Sequence, residues 1–161
     1  MTSEGPDLAD LDDIYTARIL ELAAGITHTA RLARPGGSAT AHSKLCGSTV
    51  TVDVSVQDGR VAEYGQIVKA CLLGQSACAV MGREITGSAP AELRAVCNQM
   101  RAMLKANGRP PDGRWADLAI LEPVKDYKGR HASVLLVFDA VESALRQIED
   151  SAATETQVVK A

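Results

Sequence analysis

A run of alternating residues at positions 49–56 constrains the fold of this chain more than any other feature. Valine occupies every second position, and polar residues fill the positions between. This alternation is typical of a β-strand with one buried face. Asp58 and Gly59 follow shortly after, and an Asp-Gly pair between two extended runs favours a tight hairpin turn. The sequence therefore predicts that residues 49–56 pair antiparallel with residues 60–68.

The segments around this hairpin are mostly helical in character. Apolar spacing and composition predict a first helix over 8–22 and a short strand over 39–42, both before the hairpin. After the hairpin they predict a helix that begins at or just after Cys71 and ends by Gly87, and a helix from Ser88 that stops at 107–113. A short helical stretch over 115–121 and a last helix over 134–148 follow. We therefore expect an α+β fold, in which helices pack on one face of a small three-stranded antiparallel sheet.

The domain organisation follows from length and charge. A chain of 161 residues suits one domain with a core of ordinary size. Residues 1–13 carry five acidic side chains and no basic one. We predict an acidic N-terminal segment at 1–13, a single domain at 14–149 and a flexible tail at 150–161.

Composition excludes several classes of function. No apolar run approaches the roughly 20 residues that a membrane span needs, so a membrane partner is not expected. The chain has one Trp, three Tyr and one Phe, too few for a platform that stacks bases, so a nucleic-acid partner is not expected either. The acidic start lacks the features of a secretory signal, which predicts a reducing, cytoplasmic setting. There, four cysteines indicate metal or thiol chemistry rather than disulfides.

Two of the cysteines occupy matching ends of the predicted hairpin. Cys46 precedes the first strand and Cys71 follows the second, each about 12 residues from the Asp-Gly turn. Because antiparallel strands lie about 4.8 Å apart, the two thiols should converge at one end of the sheet. A cysteine that opens a helix is also favoured as a thiolate by the helix dipole. The alternative is a pair of small buried residues; the matching positions favour a functional site.

The order of these features resembles a known family, the U-type iron–sulfur cluster scaffolds, which comprise IscU-like proteins and the N-terminal domain of NifU. The resemblance runs from about Tyr15 to Leu145. It is carried by Tyr15-x-x-x-Ile19-Leu20, Cys46-Gly47 before the valine strand, Asp58-Gly59, Cys71 before a small-residue helix, Ile85-x-Gly87 and Arg130-x-x-Ser133. It implies a scaffold fold and an exposed site where a cluster is assembled from iron and from persulfide sulfur, delivered by a cysteine desulfurase.

The chain departs from the family pattern at two positions. The resemblance places Ser48 where the family has an aspartate and Ser133 where it has a third cysteine. A neutral serine hydroxyl is a weak substitute for either donor. The resemblance thus implies a site of Cys46, Cys71 and Ser133, with His131 as a candidate metal ligand beside the two cysteines. The bound group would be a transient iron–sulfur cluster, such as a 2Fe-2S cluster, or a zinc or iron ion.

The other candidates have simpler interpretations. Cys97 lies on an apolar helical stripe and is predicted to be core. Cys78 would lie about 10 Å along the helix from Cys71, too far to share one metal, and is also predicted to be core. A loop histidine such as His131 is more often solvated or bonded to backbone. The basic loop of Lys125, Lys128 and Arg130 is either a solvated surface or a partner surface.

Three functions remain for comparison. The first is a scaffold or carrier for iron–sulfur cluster assembly, which is not an enzyme. The second is a degenerate paralogue that binds a desulfurase or another assembly protein without building a cluster. The third is a thiol enzyme, which ranks last because the sequence shows no catalytic base. All three functions are compatible with a homodimer.

Overall fold

The structure is a computed structural model that describes residues 15–45 and 47–160, with side chains as far as residue 152. In chain order the helices and strands are α1 (Ala17–Ala24), β1 (Gly37–His42), β2 (Thr49–Gln57), β3 (Arg60–Lys69), α2 (Leu72–Glu84), α3 (Pro90–Lys105) and α4 (His131–Lys160). Two 3-10 segments, Gly113–Asp126 and Lys128–Arg130, join α3 to α4.

The three strands form one antiparallel sheet in the order β1-β2-β3, as predicted. Gln57 pairs with Arg60, so a two-residue turn closes the hairpin. Asp58 and Gly59 both have positive φ, 55° and 77°, the combination that matches the twist of a tight hairpin. At the other end of the pair Thr49 lies opposite Lys69. The register therefore fixes which residues share the sheet end that Cys71 follows.

The core lies between this sheet and the helices. Val50, Val52 and Val54 of β2 are fully buried. Helix α4 packs against β1 and β2, and α2 packs against β3, α1 and α4. The predicted α+β architecture is confirmed. Within the described part of the chain, no helix is both long enough and apolar enough to cross a membrane.

Asp53 departs from the alternation of buried and polar residues in β2. The alternation places Asp53 on the polar face of the strand. Its side chain is completely buried. Both of its oxygens accept from Arg31, at 2.7 and 3.1 Å, and it also accepts from the Leu32 amide at 2.9 Å and from the Ser38 hydroxyl. Burial by itself raises the pKa of Asp53, but these hydrogen bonds outweigh it and hold the pKa below its ordinary value.

Two predicted boundaries differ from the structure. Helix α1 begins at Ala17, because the Thr16 hydroxyl caps it by accepting from the Ile19 amide at 3.3 Å. Residues 1–14, which include the acidic segment and the start of the predicted helix, lie outside the described residues. The last helix does not end at 148 but continues to Lys160, through the segment predicted as a flexible tail. Residues 131–161 contain neither Gly nor Pro, so nothing local stops the helix.

Candidate functional site

Cys71 lies at a junction between strand and helix, as predicted. It caps the N-terminus of α2 in an extended conformation, with φ −71° and ψ 173°, and its side chain makes no capping hydrogen bond. Gln75 fixes this first turn, because its amide donates to the Cys71 carbonyl at 2.8 Å and its Nε2 donates to the Ala70 carbonyl at 2.7 Å. The thiol is half-buried at the positive end of a helix of 13 residues.

The loop before β2 approaches the same sheet end. The Ser43 amide donates to the Ser48 carbonyl at 2.9 Å, and the Gly47 amide donates to the Ser43 carbonyl at 2.8 Å, so the loop closes on itself. Ser48 is buried, and the next residue, Thr49, pairs with Lys69 just before Cys71. Cys46 lies outside the described residues. The register that brings residues 47 and 48 near Cys71 is confirmed, while the approach of the two thiols stays a prediction.

Ser133 lies in the first turn of α4 and is 3% exposed. Its carbonyl oxygen is 3.0 Å from the point where a Cβ on Gly74 would stand. Gly74 belongs to the first turn of α2, the turn that Cys71 caps. The N-terminal turns of α2 and α4 are therefore in backbone contact, which brings Ser133 to the neighbourhood of Cys71.

The His131 ring contacts backbone carbonyls of the 3-10 segment Gly113–Asp126. Its Nε2 lies 3.1 Å from the Val124 carbonyl and 3.0 Å from the Lys125 carbonyl. Because both partners are acceptors, Nε2 carries the proton, and Nδ1 is left as the nitrogen for a metal. Residues two apart on a helix project about 200° from each other, so His131 and Ser133 leave α4 on different sides. The role of His131 as a ligand stays a prediction.

The described residues do not complete a metal site by themselves. Across residues 15–45 and 47–152, no group of three His, Cys, Asp or Glu side chains could hold a metal ion. Cys71 is the described thiol at the sheet end, and Ser48 and Ser133 are hydroxyls. A tetrahedral or cluster site here would need Cys46 and two further donors in place of the two hydroxyls.

Sequence reasoning missed two residues that shape the site. Gly74 allows the close contact with Ser133, and Gln75 fixes the turn that carries Cys71. A signal for Gly74 was available, because a glycine inside a helix costs about 1 kcal/mol relative to alanine and therefore needs a packing reason. Gln75 is a polar residue near the start of a helix that is otherwise rich in small and apolar residues.

The comparison with solved structures decides the family. The N-terminal part of a nitrogen-fixing NifU-like protein from Brucella abortus is 52% identical to this chain, with a TM-score of 0.86 over 88% of this chain and 98% of that one. This chain belongs to the NifU-like family. A candidate iron–sulfur cluster assembly scaffold protein of the SUF system from the thermophile Fervidobacterium islandicum shares the fold, with a TM-score of 0.76 at 18% identity over 83% of this chain and 98% of that one. No protein-family model and no curated protein sequence matches the chain.

The remaining cysteines of this NifU-like chain belong to the core, as predicted. Cys78 and Cys97 are fully buried. Burial raises the pKa of the Cys78 thiol well above its ordinary value and raises that of Cys97 to about 12. Cys97 also donates from Sγ to the Phe138 carbonyl at 3.5 Å. Neither thiol has the exposure or the thiolate character that sulfur or metal chemistry needs.

This contrast predicts a pattern of thiol labelling. In the folded Cys46→Ser variant we expect Cys71 to react with a disulfide reagent, and we expect Cys78 and Cys97 to react only after denaturation, because buried and protonated thiols are poor nucleophiles. Counting released thiolate before and after denaturant measures this, and Cys46→Ser/Cys71→Ser is the matched control. Rapid reaction of that double variant in the native state would contradict the assignment of the core thiols.

Proposed function

We propose that this NifU-like domain is an iron–sulfur cluster assembly protein, a scaffold or carrier that accepts iron and persulfide sulfur at a thiol site of Cys46 and Cys71. The observation that carries the proposal is the position of Cys71, a half-buried thiol at the N-terminus of α2 and at the sheet end that the loop before β2 approaches. The likeness to a NifU-like protein at 52% identity supports it.

The site suits transfer of sulfur by simple displacement. The Cys71 thiolate attacks the outer sulfur of a persulfide on a donor protein, and the bond between the two donor sulfurs breaks. The donor cysteine leaves as a thiolate, and the transferred sulfur remains on Cys71 as a persulfide. Both the attacking thiolate and the new persulfide are anions, so the N–H groups and dipole at the start of α2 stabilise each of them.

The proposal extends to partners and setting. The natural donor of persulfide is a cysteine desulfurase, and the product would pass to other iron–sulfur assembly proteins. The domain is then a binding protein that acts in the cytoplasm rather than an enzyme with turnover. The cluster and the iron are its cargo.

A second function is favoured by one observation, the chemistry of the two serines. Ser48 and Ser133 are 5% and 3% exposed, and neither is an anionic donor. A degenerate paralogue could keep the fold and the partner surface while it binds a desulfurase without building a cluster. In this alternative Cys71 and Cys46 would still be present, but no metal would be retained.

Anaerobic reconstitution with iron and sulfide tests both candidates. We expect wild type to develop visible charge-transfer absorption, and we expect Cys46→Ser and Cys71→Ser each to retain at least about tenfold less iron, because each loses a thiolate donor. Cys97→Ala is the matched control, since it removes a core thiol, and it should behave as wild type. Equal iron in wild type and Cys71→Ser would contradict the site. Desulfurase binding without any cluster in wild type would favour the degenerate paralogue.

A further inference from the structure

A positively charged cleft lies beside the start of α4. It has a volume of about 530 Å³ and separates the C-terminal end of α3 from the 3-10 segments. Its lining includes Lys105, Lys125, Lys128, Asn107, Asp126 and His131, with the buried Leu104 at its apolar base. Three lysines against one aspartate give the cleft a net positive charge.

The lysines of the cleft are poorly compensated. Among the described residues, neither the Lys105 side chain nor the Lys128 side chain has an ion-pair or hydrogen-bond partner. Lys125 donates to the Asn107 side chain at 3.1 Å and lies 3.9 Å from a Glu122 oxygen. By contrast, five arginines elsewhere on the helices each pair with a carboxylate: Arg18, Arg83, Arg94, Arg101 and Arg114. Two of the three lysines of the cleft thus carry positive charge that no described carboxylate offsets.

The acidic segment of the chain joins the fold at this same place. The Arg130 guanidinium lies over the Tyr15 ring, 5.9 Å from its centroid. Arg130 directly precedes His131, which lines the cleft, and Tyr15 comes two residues after the acidic pair Asp12 and Asp13. The contact between Arg130 and Tyr15 therefore holds the first described residue of the chain beside the segment that leads into His131, and the five carboxylates precede that residue in sequence.

We propose that this cleft is an intramolecular docking surface for the acidic segment 1–13. The segment can reach it, because 13 extended residues span up to about 43 Å. Attachment through Tyr15 gives the segment an effective concentration of about millimolar, enough for contacts that are weak one by one. Any partner with an acidic surface would have to displace the segment before it could occupy the cleft. The contact does not depend on whether the domain builds a cluster.

Backbone amide NMR of the full chain tests the proposal. The variant neutralises all five acids, with Glu4→Gln, Asp7→Asn, Asp10→Asn, Asp12→Asn and Asp13→Asn. At about 20 mM salt we expect its shifts at Lys105, Lys128 and Gly129 to differ from those of wild type, and we expect the differences to fall at least about twofold at 0.5 M salt, where charges are screened within a few ångströms. As a matched control, Asp58→Asn/Glu63→Gln neutralises two exposed hairpin acids and should leave these shifts unchanged.

A peptide of residues 1–13 completes the test. Added to the neutralised variant, it should restore the wild-type shifts, and Lys105→Gln/Lys128→Gln in that variant should weaken its binding about fivefold. Identical shifts in wild type and the neutralised variant would overturn the proposal, as would differences that salt leaves intact. Wild-type shifts that change with protein concentration would also overturn it, because the occupant would then be the segment of a second copy.

Discussion

Ser133→Cys combined with Ser48→Asp is expected to raise the affinity of the domain for zinc by about 100-fold or more. Each substitution supplies an anionic donor where wild type has a neutral hydroxyl. Changes in groups that merely orient metal ligands already alter affinity by about 10 to 100-fold, so a new thiolate ligand should do at least as much. The backbone of Ser133 contacts the turn of α2 that Cys71 caps, so the backbone already places residue 133 where such a ligand is needed.

Zinc titration against a competing chelator measures this effect. Ser76→Cys is the matched control, because Ser76 is a buried serine of α2 whose hydroxyl bonds to the Leu73 carbonyl within the helix. It adds a thiol away from the site and should leave zinc affinity unchanged. If the double variant binds zinc no better than wild type, then Ser48 and Ser133 are not the missing ligands, and the argument for a degenerate site loses its basis.

The features that could be predicted from sequence are those set by neighbouring residues. The hairpin follows from strict alternation around Asp58 and Gly59, and its register follows from the turn, so the sheet end that Cys71 follows could be located. The start of α2 at Cys71 follows from the change in composition after Ala70. The family resemblance rests on the same ordered features, and the 52% identity to a NifU-like protein confirms it.

The features that sequence could not predict depend on distant partners. The alternation of β2 places Asp53 among the polar residues of the strand. Its burial depends on Arg31, which lies 22 positions earlier in an irregular connector. His131 differs from Asp53, because its two carbonyl partners lie only six and seven positions earlier, and a bond to backbone is what a loop histidine more often makes. The contact between Asp53 and Arg31 arises only when the chain folds, because nothing in the local pattern selects the partner.

Gly37→Ala is expected to destabilise the fold strongly, because β1 and α4 meet there without room for a side chain. A Cβ on Gly37 would stand 2.2 Å from the Ala144 carbonyl oxygen. The strand cannot move away freely, since Gln147 of α4 accepts from the Ser38 amide at 3.0 Å and donates to the Ser38 carbonyl at 2.7 Å. Overpacking against backbone costs about 3 kcal/mol, which lowers the Tm of a chain of this size by about 6 to 12 °C.

Thermal unfolding of Gly37→Ala beside Gly129→Ala separates this contact from the general effect of losing a glycine. A Cβ on Gly129 meets no atom within 4 Å, so that variant should match wild type or gain slightly, because alanine restricts the unfolded chain more than glycine does. Both substitutions change the unfolded state in the same way, so the difference between their Tm values reports the native contact between β1 and α4. An equal Tm for Gly37→Ala and Gly129→Ala would contradict this prediction. It would mean that a Cβ at position 37 does not clash with the Ala144 carbonyl oxygen.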